Sequence, residues 1–204
     1  MSLSRDDCVY TPQYCEENVY KLIETMMGNS SVARLYAVFI SNPLKNVPVF
    51  FQKSSNCVNG LVVWDYHVIA IERLAVGNSY RVYDLDSTLS FPCDATQYWR
   101  KAIRSNSEFP PKYERYFRIV DGDVYLRHFA SNRSHMREAG GWLAPPPVYE
   151  AISTAESTHN LPNYINISHA EVCLHSCSDD QLESSPFGRV LAEDAFCSFF
   201  NITP

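Results

Sequence analysis

The stretch 61–86, LVVWDYHVIAIERLAVGNSYRVYDLD, decides how the chain is read. Residues 61–73 alternate as one strand. Val63, Asp65, His67, Ile69 and Ile71 fall on one face, and Val62, Trp64, Tyr66, Val68 and Ala70 on the other. Apolar residues on both faces mark an interior strand. Residues 79–86 form a second strand, and the intervening Ala-Val-Gly-Asn joins the two as an antiparallel hairpin. A turn centred between Ala75 and Val76 sets His67 opposite Asp84. A turn one residue later sets it opposite Asp86. Directly opposed side chains can meet, and a histidine among hydrophobes needs a partner. The pattern therefore predicts a His–Asp couple and leaves the aspartate open.

Working outward, residues 15–27 carry Val19, Leu22, Ile23, Met26 and Met27 at helical spacing, and Gly28-Asn29 stops the helix. Strands are expected at 34–41 and 47–52, and helices at 95–105, 123–131 and 190–200. Loops fill 106–112 and 139–149. One helix, consecutive strands and then mixed elements give an α+β fold with an antiparallel sheet. A single domain over 1–204 is expected, with 168–188 as an inserted or mobile segment.

The chain has 204 residues and a formal net charge of -6, which disfavours general binding to nucleic acid or an anionic membrane. No apolar run approaches a membrane span, and no export signal opens the sequence, so the seven cysteines are expected as reduced thiols in a cytoplasmic chain, with nuclear presence left open. Cys15 stands at the start of the first helix, where free N–H groups favour a thiolate and can hold an oxyanion. Glu16 and Glu17 oppose that activation, so a histidine partner has to supply most of it. A Cys, a His and an Asp on separate elements match the nucleophile, base and orienting acid of thiol enzymes. His169, Cys173, His175 and Cys177 match no zinc spacing, so neither a metal nor an organic cofactor is expected. The segment around Arg133, His135 and Arg137 reads as a solvated loop, with a substrate rim as the other reading.

These residues lie in longer strings: DCVYTPQYCEEN (7–18), YAVFISN (36–42), WDYHV (64–68), YDLDSTLSFPC (83–93), FASNRSHM (129–136) and WLAPPP (142–147). Together they resemble the protein N-terminal glutamine amidohydrolases, collinearly from residue 7 to about residue 167. The resemblance implies a papain- or transglutaminase-like fold and hydrolysis of an N-terminal glutamine's side-chain amide to glutamate and ammonia, feeding an N-degron route. Carried over by motif, Cys15 is the nucleophile, His67 the base and Asp84 the third member, which chooses between the two aspartates. A monomer acting on proteins and peptides with N-terminal Gln is expected. For the substrate's α-ammonium, Asp65 is the first candidate because it shares a strand face with His67; Glu16 and Glu17 are its rivals. The alternative is a thiol protease or transglutaminase using the same three residues.

Overall fold

A computed structural model describes residues 3–28 and 34–204. Its strands are β1 (Arg34–Ser41), β2 (Val47–Val49), β3 (Val62–Trp64), β4 (His67–Arg73), β5 (Tyr80–Tyr83), β6 (Cys93–Asp94), β7 (Tyr116–Asp121), β8 (Arg137–Glu138), β9 (Gly141–Trp142), β10 (Val172–Cys173) and β11 (Arg189–Leu191). Its α-helices are α1 (Cys15–Met27), α2 (Ala95–Tyr98), α3 (Gly122–His128), α4 (Leu161–Ile165), α5 (Asp179–Glu183) and α6 (Glu193–Phe199). Seven strands form one sheet in the order β10-β11-β7-β1-β4-β5-β6, antiparallel throughout except between β10 and β11. The expected α+β class with a largely antiparallel sheet is what the chain forms. Among the described residues, no helix is long and apolar enough to cross a membrane.

β1 lies at the centre, and its alternation divides the core. Tyr36, Val38 and Ile40 join Ile69, Ile71, Val82, Trp99, Phe196 and Phe200 on one face. Leu35, Ala37 and Phe39 join Val68, Ala70, Tyr125, Tyr164 and the apolar stripe of α1 on the other. The stripe is Val19, Leu22, Ile23 and Met26, recurring at the spacing that keeps one side of a helix on a sheet. Asn29, read with Gly28 as the stop of this helix, lies outside the described residues.

Several elements differ from the sequence reading, among them 190–200, read as one helix, where β11 runs to Leu191 before α6 begins at Glu193. The 61–73 strand is broken: β3 pairs with β2 in a separate ribbon, and β4 begins at His67 in the main sheet. Asp65 sits in the break, exposed, with its Oδ1 accepting the Tyr66 N–H at 2.9 Å. It therefore does not share a continuous strand face with His67. The second strand stops at Tyr83, so Asp84 lies just beyond the ladder. Finally, β7, beside β1, went unread. Its buried Arg118 interrupts an apolar run and is satisfied by the carbonyls of Tyr164, Phe187 and Asn166 and by Glu171.

Residues 168–188 contribute β10, α5 and a buried Leu182. Asp179 accepts from Tyr36 Oη at 2.7 Å and from Arg73 at 2.7 Å, and Glu183 pairs with Arg34.

Candidate active site

Cys15 is the first residue of α1, after the capping Tyr14. The turn before it is stapled by Asn18, whose side chain donates to the Thr11 carbonyl and accepts the Thr11 N–H, both at 2.8 Å. The first helical N–H to find a partner is that of Asn18, on the Tyr14 carbonyl at 2.9 Å. The N–H groups of Cys15, Glu16 and Glu17 thus belong to the open end of the helix. α1 packs against β4, and the backbone N–H of Val68 is directed at the Cys15 sulfur. Burial, then the charges of Glu16, Asp86 and Asp65, hold the thiol well above its ordinary pKa despite that N–H.

His67 opens β4 and is fully buried, stacked on the indole of Trp64 with centroids 5.3 Å apart and planes 16° from parallel. Its Nε2 meets Asp84 Oδ1 at 3.1 Å, and its Nδ1 has no partner. The residues β4 and β5 pair in the register Ala70↔Tyr83 and Ile71↔Val82. Extended, that register would set His67 opposite Asp86. The chain instead leaves the ladder after Tyr83, and Asp84 Oδ1 accepts the Asp86 N–H at 2.9 Å, an Asx-type turn that swings the Asp84 carboxylate under the imidazole. Gln52 Nε2 and Tyr98 Oη donate to its Oδ2 at 3.0 and 2.8 Å. Gln52 is brought there by an isolated bridge to Ser87, and Tyr98 ends α2.

Burial opposes both charges of this pair. For Asp84 it is outweighed by the charge and hydrogen bond of His67 and by the Gln52 and Tyr98 donors, so its carboxyl is held below the usual range. For His67 burial is outweighed by the Asp84 charge and bond and by the Asp86 charge, so the imidazole is held above its ordinary pKa. Asp86 goes the other way: burial and the Asp84 charge raise it, while Tyr10 Oη donates to its Oδ1 at 2.6 Å. The Asp86 charge acts on both Cys15 and His67, raising the pKa of each. Among the described residues no hydrogen bond joins Cys15 to His67; the thiol makes a long 3.8 Å contact with Glu16 Oε2.

His67, Asp84 and Asp86 also offer ligand atoms within 4.8 Å of one another. The set does not suit a cation. Both Asp84 oxygens already accept two donors each, and His67 Nε2 faces one of them.

The three acids expected near the substrate separate clearly. Asp65 is exposed. Glu17 is buried in a bidentate pair with Arg133, with Nε–Oε1 at 2.9 Å and Nη2–Oε2 at 2.8 Å. Arg133 is itself buried and also donates to the carbonyls of Pro147, Tyr149 and Glu150, so its segment is not a solvated loop. Glu16 is fully buried, with Oε2 accepting from Tyr66 Oη at 3.0 Å. The Gln52 and Tyr98 supports of Asp84, the Trp64 stack and the Arg133 clamp were not read from the sequence. Gln52, Tyr98 and Arg133 lie 14 to 116 residues from their partners, beyond any local pattern, and the Trp64 stack depends on the break after Trp64, which continuous alternation through 61–73 hid.

The N-terminal glutamine amidase family matches residues 10–200. A protein N-terminal glutamine amidohydrolase of Oryza sativa subsp. indica is 44% identical over 204 residues, covering 96% of this chain and 88% of the relative. One of Danio rerio is 45% identical over 165 residues, covering 79% and 81%. One of Homo sapiens is 41% identical over 166 residues, covering 80% of each. With a family match across nearly the whole length and relatives this similar, the chain belongs to the N-terminal glutamine amidase family.

Proposed function

We propose that this protein hydrolyses the side-chain amide of an N-terminal glutamine, giving N-terminal glutamate and ammonia, with Cys15 as nucleophile, His67 as acid–base and Asp84 as orienting acid. The observation that carries the mechanism is the buried imidazole with one nitrogen committed to Asp84 and the other, Nδ1, left free. That free nitrogen is the one able to take the Cys15 proton. This reading assigns the chain the nucleophile, base and orienting acid of papain- and transglutaminase-like thiol enzymes.

In this reading the substrate carbonyl carbon meets the Cys15 sulfur as the proton passes to His67 Nδ1. The C–S bond forms, and the oxyanion is held by N–H groups at the open end of α1. The imidazolium is stabilised by Asp84 and returns its proton to the departing amide nitrogen, which leaves as ammonia. Water then attacks the thioester, giving its proton to His67, and the thiol is regenerated. Because the free thiol is held well above its ordinary pKa, it rests protonated, and proton transfer to His67 accompanies attack. N-terminal glutamate is a new acidic terminus, suited to an N-degron route in cytoplasm or nucleus.

Mass spectrometry of a Gln-initiated peptide tests this reading. A gain of about one mass unit without chain cleavage, present with the wild type and absent with Cys15→Ala, is the expected result. Cleavage of the peptide backbone would establish a thiol protease in its place.

A further inference from the structure

A deamidase confined to chain termini has to read the substrate's α-ammonium, and a desolvated ammonium needs an anionic partner. Asp65 faces solvent and Glu17 is consumed by Arg133. Glu16 differs from both: it is 0% exposed, and its Oε1 has no hydrogen-bond partner. A buried carboxylate oxygen left unpaired is costly and calls for a ligand.

Its surroundings carry the same signature. His135 Nε2 lies 3.4 Å from Glu16 Oε1 but is not aligned for a hydrogen bond. His135 stacks on His159, with centroids 6.1 Å apart and planes 19° from parallel. Both nitrogens of His135 and Nδ1 of His159 are buried without partners. The Glu16 oxygen and three imidazole nitrogens on two neighbouring side chains are therefore all unsatisfied beside the nucleophile. Burial and the neighbouring His135 hold the His159 imidazole below its usual pKa, so it offers a neutral acceptor and not a competing cation.

We propose that Glu16 is the receptor for the α-ammonium of the substrate, and that His135 covers its free oxygen until the ammonium displaces it. This rests on the deamidase reading above. The consequence is twofold. Docking of the ammonium neutralises the charge that, after burial, most opposes the Cys15 thiolate, so a correct terminus also eases activation of the nucleophile. An acetylated or internal glutamine brings no cation and leaves that opposition in place. Around Glu16 and His135 stand His159 ahead of α4, with Cys15 and Tyr66 behind the carboxylate.

The test follows ammonia release from a Gln-initiated peptide and its Nα-acetyl form by the wild type, Glu16→Gln and His135→Ala. Iodoacetamide alkylation of Cys15 is measured in parallel. Glu16→Gln is expected to raise KM for the free peptide by about two orders of magnitude, from the loss of a buried charge partner. It should collapse the preference over the acetylated form and speed alkylation at a given pH, with an unchanged melting curve showing that the buried thiol has not simply been exposed by unfolding. His135→Ala is expected to lower KM for the free peptide, because the side chain that covers the Glu16 oxygen is gone. It keeps the proposal testable should Glu16→Gln fail to fold. If Glu16→Gln retains its discrimination, or if His135→Ala leaves KM for the free peptide unchanged, the receptor assignment is wrong while the deamidase reading stands. No ammonia from the wild type with either peptide would overturn both.

Discussion

Replacing Asp84 by Asn separates the two aspartates of the YDLD motif. Asp84 takes four donors: His67 Nε2 and the Asp86 N–H on Oδ1, Gln52 Nε2 and Tyr98 Oη on Oδ2. An asparagine can keep its oxygen toward His67 and turn its amide toward Gln52. The Gln52 Oε1, which has no partner, can accept it once that side chain flips. The fold is therefore expected to survive, and what is lost is charge. With charge centres about 4 Å apart and an effective dielectric of about 20, the carboxylate stabilises the imidazolium by about 4 kcal/mol. That corresponds to about 10³-fold in rate. If the amide instead faces the imidazole, the wrong tautomer is held and the loss approaches about 10⁴-fold. Asp86 makes no hydrogen bond to His67, and its bond from Tyr10 can be kept by an asparagine oxygen. Asp86→Asn should therefore stay within about tenfold of the wild type. The assay is kcat/KM for ammonia release from a Gln-initiated peptide, with a melting curve on each variant. Equal losses from the two substitutions in folded proteins would refute the assignment of Asp84.

Cys15→Ala and His67→Ala should each abolish turnover with the far-ultraviolet spectrum retained; substantial activity in either folded variant would remove that residue from the mechanism. Because the thiol is held well above 9.0, the reactive thiolate of the free enzyme becomes abundant only as pH rises past that value. Alkylation of Cys15 by iodoacetamide should climb through pH 9 without a plateau near neutrality, and a plateau there would show a resting thiolate–imidazolium pair. Arg133→Ala leaves Glu17 buried without its cation and should cost about 3–5 kcal/mol in a urea titration; a change below 1 kcal/mol would mean that Glu17 finds other partners.

Where local patterns suffice, the sequence was legible. Strand 34–41 and helix 15–27 form over the residues expected, because unbroken apolar periodicity specifies each. The hairpin was legible as a pairing but not at its ends. Asp65 takes the N–H of Tyr66, and Asp84 that of Asp86, each substituting a side-chain bond for the next rung of a ladder. Those substitutions break the long strand and swing Asp84, not Asp86, onto His67. Alternation has no term for them, and family motif chose the aspartate where register could not. β7 was lost to Arg118, whose burial depends on carbonyls 46 to 69 residues away. The Glu17–Arg133 clamp spans 116 residues and was invisible for the same reason. The residues of YCEEN were marked as one acidic pair; only packing distinguishes the satisfied Glu17 from the unsatisfied Glu16.

The most direct measurement is intact-protein mass spectrometry after rapid acid quench of enzyme mixed with a Gln-initiated peptide. The account predicts a transient species with the mass of enzyme plus peptide less one ammonia, carried on Cys15 and absent from Cys15→Ala. Deamidated peptide formed by Cys15→Ala, or an adduct placed on any other residue, would contradict it.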